Sequence, residues 1–183
     1  DGHHISRILL DPKNQDHVIV GVTGHLYSEN PMRGVYKSTD GGMSWKQTLF
    51  VGSDTGVIEM ASEPGAPSVI YAATWQKDRK AWHFEGSGSK SGIYKSTDSG
   101  DTWQLVTTAE SGFPTGQGVG RIGLAVYDEN TVYAIVDNQD HRPSSAAERQ
   151  GLDASDFEQM STSDFAKLSD QELESFLRNN AFQ

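Results

Sequence analysis

Apolar residues in this chain come in short runs, and the runs arrive in pairs. Arg7, Ile8, Leu9, Leu10 and then Val18, Ile19, Val20, Gly21, Val22 make the first pair, split by the turn formers Asp11, Pro12, Lys13 and Asn14. Val57, Ile58, Glu59, Met60 with Val69, Ile70, Tyr71, Ala72, Ala73 make the second. Arg121 to Val126 with Val132 to Val136 make the third, split by Tyr127, Asp128, Glu129 and Asn130. Short runs rich in β-branched and aromatic residues on either side of turn residues predict β-hairpins.

A stronger unit follows the first two pairs. Gly34, Val35, Tyr36, Lys37, Ser38, Thr39, Asp40, Gly41, Gly42, Met43, Ser44, Trp45 returns as Gly92, Ile93, Tyr94, Lys95, Ser96, Thr97, Asp98, Ser99, Gly100, Asp101, Thr102, Trp103, a period of about 58 residues. Each copy reads as a second hairpin: a strand from the Gly to the Ser, a turn of Asp and Gly residues, and a strand beginning at the Trp. Four antiparallel strands per repeat, stacked repeat on repeat, predict an all-β propeller. The pattern supplies two full blades and the inner half of a third.

Beyond Asn138 the pattern changes to helical. Ser169 with Glu172 forms a capping box ahead of Leu173, Phe176 and Leu177 on one helical face, and Asn179 and Asn180 are stop signals. Phe157 with Met160 and Phe165 with Leu168 predict two shorter helical turns introduced by Ser155 and Ser163. The polar stretch from Arg142 to Gly151 is expected to be disordered. The division is thus residues 1–138 as propeller blades and 139–183 as an acidic helical insertion or tail.

The strong unit carries the motif Ser-x-Asp-x-Gly-x-Thr-Trp, complete in the second copy and with Ser44 in place of Thr in the first. Both copies resemble the Asp-box, the bacterial neuraminidase repeat of sialidases, xyloglucan-cleaving endoglucanases, sortilin-type receptors and photosystem II assembly factors. The resemblance covers about residues 5 to 138 and is nearest to bacterial sortilin-like propeller proteins often labelled glycosyl hydrolases. It implies a secreted or periplasmic protein. The motif has a structural role to fill on physical grounds. Asp40 and Asp98 can accept hydrogen bonds from backbone N–H groups of their own turn, Gly42 and Gly100 can take positive φ, Trp45 and Trp103 supply apolar bodies between sheets, and Ser38, Ser96 and Thr102 are the remaining structural positions of the motif. A calcium site on Asp98 and Asp101 lacks further oxygen ligands, and no cofactor or metal is expected.

A propeller closes with typically four to eight blades. The remaining blades are expected from the same polypeptide or from another chain, and the start at Asp1 with no apolar leader is read as an internal segment. Net charge is −10, and half of the excess lies after Ala147, where eight carboxylates face three basic groups. Such a field repels phosphate backbones and anionic lipid, so nucleic acid and membrane insertion are not expected. With no cysteine, disulfides and thiolate chemistry are excluded.

Function is expected at the end of the propeller where the second and third strands of each blade connect. Those connections, Thr23 to Arg33, Thr74 to Ser91 and everything from Asp137, are long, and long loops call for a functional or disordered explanation. They offer His25, Tyr27 and Arg33, then Trp75, Arg79, Trp82 and His83. Exposed aromatics beside charged groups suit a peptide or glycan ligand. The competing reading has Trp75, Trp82 and Phe84 folding the loop back on the blades. Arg7 and Arg121 recur about eleven residues before their second strands, where they would either face a shared anion near the axis or, the favoured reading for a single arginine, pair with neighbouring carbonyls or carboxylates; Val57 breaks that pattern in the middle blade. His3, His4 and His25 lack metal-ligand spacing. Ligand binding is the primary reading. The alternative is a glycoside hydrolase, for which Glu85 and Asp137 are the candidate catalytic carboxylates.

Overall fold

β1 (Ile5–Asp11), β2 (Asn14–Val22), β3 (Gly34–Ser38) and β4 (Lys46–Leu49) pair in that order in one antiparallel sheet. β5 (Thr55–Ser62), β6 (Ile70–Gln76), β9 (Gly92–Ser96) and β10 (Gln104–Leu105) repeat the arrangement. Between β6 and β9 the chain throws out a finger of two short strands, β7 (Asp78–Arg79) and β8 (Phe84–Glu85). β11 (Val119–Asp128) and β12 (Thr131–Asn138) form a further hairpin. The architecture is that of a propeller: two four-stranded blades, then the inner hairpin of a third. The computed structural model describes residues 2–128, 130–140, 152, 156–157 and 160–179. It divides into two units, Asp1–Asp140 and His141–Gln183.

The blades hold together through apolar residues that the strand period sends to the two faces of each sheet. Ile19, Val35 and Leu49 of the first blade meet Val57, Met60, Ile70 and Ala72 of the second, with Trp103 packed against them. Tyr71, Ala73 and Ile93 meet Val119 and Ile122 of the third hairpin. The first seam is also close at the backbone. A Cβ on Gly56 would lie 2.4 Å from the Thr23 carbonyl oxygen, so only glycine lets the blades approach there. Hydroxyls stitch the same seam, with Ser6 Oγ and Thr23 Oγ1 both donating to the Val57 carbonyl at 2.7 and 3.0 Å.

The repeated turn is closed by its own side chains. Ser96 Oγ accepts the Gly100 N–H at 2.8 Å and donates to Asp98 Oδ1 at 2.7 Å. Asp98 also accepts the Thr102 N–H at 2.9 Å and the Thr102 hydroxyl at 2.5 Å. Ser38, Asp40, Gly42 and Ser44 form the same network in the first copy, so Ser44 replaces Thr without losing a hydrogen bond. Gly42 and Gly100 take φ of +92° and +79°. The two tryptophans differ, however. Trp103 is half-buried and donates to Thr48 Oγ1 of the first blade at 3.2 Å, whereas Trp45 is 43% exposed and donates to Gly42 within its own turn. Trp45 therefore does not lie between sheets of the described residues.

The second unit contains α1 (Thr162–Phe165) and α2 (Asp170–Asn179). The capping box has formed: Glu172 accepts the Ser169 N–H at 2.8 Å, and Ser169 Oγ accepts the Glu172 N–H at 3.3 Å. The cap of α1 is Ser161, which accepts the Asp164 N–H, rather than Ser163, which lies inside the helix. The Phe157 and Phe176 rings pack with centroids 4.4 Å apart and planes tilted by 51°. The stretch from Arg142 to Gly151 and Ser155 lie outside the described residues.

Candidate functional site

Two ends of the blades are distinguishable by their hydrogen bonds. At one end sit the tight turns, tied by Gly41 N–H to the Asp16 carbonyl and Ser99 N–H to the Ser68 carbonyl. At the other end the connection 23–33, the connection 77–91 and the short link 50–54 come together. Asn30 N–H donates to the Ser53 carbonyl at 2.9 Å and Lys77 N–H to the Asp54 carbonyl at 3.1 Å. Asp54 acts as a latch for this end. Its carboxylate accepts from Gln76 Nε2 at 2.9 Å and from Lys90 Nζ at 3.0 Å. Partial burial pushes its pKa up, but the bonds from Lys90 and Thr55 together hold it below the usual carboxylate range.

A groove of about 440 Å³ opens at the loop end, floored by the innermost strands and walled by the finger. Arg7, Lys77, Arg79 and Arg121 line it, together with Trp75, Phe84 and one carboxylate, Glu59. Arg7 holds Glu59 through two of its nitrogens. That ion pair corrects the alignment of the repeats. Arg7 lies opposite Gly21 and Glu59 opposite Ala73, while Gly21 and Ala73 face the equivalent residues Val35 and Ile93. An irregularity precedes Arg7 and Glu59 alike, and Val18 and Ile70, which face Ser38 and Ser96, follow them at the same separation. Glu59, not Val57, therefore occupies the place of Arg7 in the second blade, and Val57 is fully buried between blades.

The residues expected to contact a ligand separate into several groups. Arg7, Trp75, Arg79 and Arg121 line the groove. Tyr27 is exposed beside it, its ring 5.8 Å from the Arg79 guanidinium, which lies 5.3 Å from the Phe84 ring on its other contact. Trp82 is 85% exposed at the tip of the finger, beside exposed His83. Trp75 is half-buried, donates to the Gly86 carbonyl at 2.7 Å and meets Phe84 edge-on at 6.3 Å. The loop aromatics thus divide: Trp75 and Phe84 fold the connection back, while Trp82 points away from the blades.

Arg33 is a correction. Only 2% exposed, it is placed to organise a loop and not to meet a ligand. Its guanidinium donates to the carbonyls of His25, Ser28 and Asp54 at 2.9, 3.0 and 3.1 Å, and burial pushes its pKa down. His25 shares that structural duty. Its Nδ1 lies 3.0 Å from Ser28 Oγ, its ring packs edge-on against His3 at 4.3 Å, and partial desolvation, then His3 and Arg33, lower its pKa.

Lys77, on the same long connection as Trp75 and Arg79, is only 5% exposed and lines the groove. Its ammonium donates to the His25 carbonyl at 3.3 Å and lies 5.8 Å from the Trp75 ring. Burial, followed by repulsion from Arg33 and Arg79, holds its pKa below the ordinary lysine value. Of the candidate carboxylates, Glu85 is exposed on β8 and Asp137 accepts from Gln139 Nε2 at 2.9 Å. Neither lines the groove, and its one carboxylate is held in an ion pair, so the two-carboxylate arrangement of a glycosidase is not built there among the described residues.

A second groove of about 270 Å³ lies at the turn end between Leu9, Leu10, Ile19 and Ile70. Two ion pairs lie along it: Lys37 Nζ is 2.8 Å from Asp101, and His17 is 3.5 Å from Asp11. No group of three or more histidine or acidic side chains among the described residues is placed to hold a metal. No described helix is long and apolar enough to cross a membrane.

No protein-family model matches the chain, and no curated protein does. Among solved structures it is similar to an ancestral GH74 enzyme, with 22% sequence identity and a TM-score of 0.46. The match covers 74% of this chain and 17% of that one.

Proposed function

We propose that this chain is a ligand-binding propeller scaffold of the Asp-box kind, acting in a secreted or periplasmic setting, which recognises a peptide or a glycan through its loop end. One observation carries the reading: two long connections from successive blades are latched together beside a groove lined by Arg79, with Tyr27 against Arg79 and Trp82 exposed at the tip of the finger. Ordering such connections costs conformational entropy, and here the cost is offset by the hydrogen bonds of Arg33, Asp54 and Trp75. The side chains left exposed are of the types that anchor ligands, a guanidinium oriented by rings and a free indole.

The test uses the full chain on an array of peptides and glycans. For the best hit, Trp82→Ala and Arg79→Ala should each weaken binding by about 2 kcal/mol, roughly thirtyfold, with the thermal midpoint unchanged. Release of product on long incubation, abolished in Glu85→Gln or Asp137→Asn, would overturn the scaffold reading in favour of hydrolysis, because proton transfer or attack needs an ionisable carboxyl group.

A further inference from the structure

The groove inverts the charge of the molecule around it. The chain carries a net charge of −10, yet Arg7, Lys77, Arg79 and Arg121 converge on one cavity against the single carboxylate of Glu59. Arg7 is neutralised by that carboxylate. Lys77, Arg79 and Arg121 make no ion pair among the described residues, and the nearby acid Asp78 is engaged by Lys80 at 2.7 Å. Lys77 is the most telling of them. A nearly buried ammonium with one long hydrogen bond to a carbonyl and two guanidiniums as neighbours is costly, and an anion in the groove would relieve the cost.

The cations come from four separate places, β1, the residue after β6, β7 and β11, and the rings of Trp75 and Phe84 stand among them. Arg79 is oriented by Phe84 and Tyr27, which leaves the edge of its guanidinium available for a forked contact with an oxyanion. Distributed cations with aromatic faces between them match a polymer that alternates a carbon-hydrogen ring face with a charged substituent. Resting on the loop-end reading above, we infer that the groove takes an acidic glycan, a sugar chain bearing carboxylate or sulfate groups. An acidic peptide supplies the charges without a ring face beside each one.

The experiment measures binding of the full chain to four probes of matched length: oligogalacturonate, a sulfated oligosaccharide, a neutral cello-oligosaccharide and oligoglutamate. Either acidic sugar or both should bind, the two arms separating carboxylate from sulfate, and affinity should fall steeply between 50 and 500 mM salt, a range of roughly tenfold in ionic strength. Arg121→Ala, an exposed position, and Lys77→Met should each cost at least about tenfold, with Arg121→Lys recovering part of the loss. Circular dichroism melts report whether Lys77→Met folds, and Arg121→Ala stands as the independent variant. Failure of both acidic sugars to bind, or binding indifferent to Arg121→Ala, overturns the inference. Equal or tighter binding of the neutral sugar, lost in Trp82→Ala, overturns it while leaving the loop-end reading intact, and preference for oligoglutamate assigns the groove to acidic peptide instead.

Discussion

Replacing Arg33 by Ala should remove the element that shapes the first long connection, and its cost follows from the geometry. Three carbonyls, those of His25, Ser28 and Asp54, lose a charged donor at 2.9 to 3.1 Å. Hydrogen bonds to a charged group are worth about 1.5 to 3 kcal/mol each, a gross loss of about 4.5 to 9 kcal/mol. Against this stands relief from keeping a guanidinium out of water, several kcal/mol in a site as enclosed as this one. The removed stem leaves space beside Gly24, whose missing Cβ would fall 2.4 Å from Arg33 Cγ. The net expectation is about 3 kcal/mol, near 10 °C in thermal midpoint for a unit of this size. Urea unfolding followed by tryptophan fluorescence gives the first number, and amide exchange over 23–33 gives its location. Arg33→Lys should recover little, because a point charge cannot reach three carbonyls at once. An Arg33→Ala protein with an unchanged urea midpoint and unchanged exchange in 23–33 would refute the reasoning.

Asp40, held at about 2 by the Ser44 hydroxyl, the Ser44 N–H and Ser38, and Asp98, pushed lower by Thr102 and Ser96, are ionised in the folded turns. Their stabilisation is present above the unfolded carboxylate value of about 4 and is lost as pH falls through the folded values. Asp98→Ala should therefore flatten the acid limb below about pH 4 in a denaturation titration, and an unchanged limb would count against the turn network. Ser99 takes φ +58° where its counterpart Gly41 takes +70°. Ser99→Gly should accordingly stabilise by about 1 kcal/mol and Gly41→Ser destabilise by a similar amount, read from urea midpoints. Trp75→Ala should cost about 2 kcal/mol through its half-buried ring and lost hydrogen bond, while Trp82→Ala should leave the melt unaltered.

Much of the fold was visible in the sequence because its determinants are local. Gly34 to Trp45 and Gly92 to Trp103 carry their turn chemistry within twelve residues, and Ser38, Asp40, Ser96 and Asp98 bond within their own copies. The short apolar runs in β2 and β6 likewise marked the strands that are buried on both faces. Two kinds of signal pointed to groove-side residues: the length and aromatic content of the loop for Arg79 and Trp82, and recurrence along the repeat for Arg7 and Arg121. What escaped depends on pairs far apart in the chain. Arg7 with Glu59 spans 52 residues, Lys77 with His25 also 52, and Lys90 with Asp54 36. Counting along the repeat points to Val57 because Val69 reads as the start of the second strand, whereas it is Ile70 that faces Ser96 as Val18 faces Ser38. Arg33 read as a ligand contact because it ends a long loop, and only its three carbonyl partners show that it faces inward.

The central claim is that the loop end, not the turn end, is the recognition surface. Amide exchange of the full chain, with and without the best ligand from the peptide and glycan array, tests it most directly. Protection is predicted over 23–33 and 77–91, with no change at the turns 39–45 and 97–103. Protection confined to those turns, or spread evenly over both ends, would contradict the account.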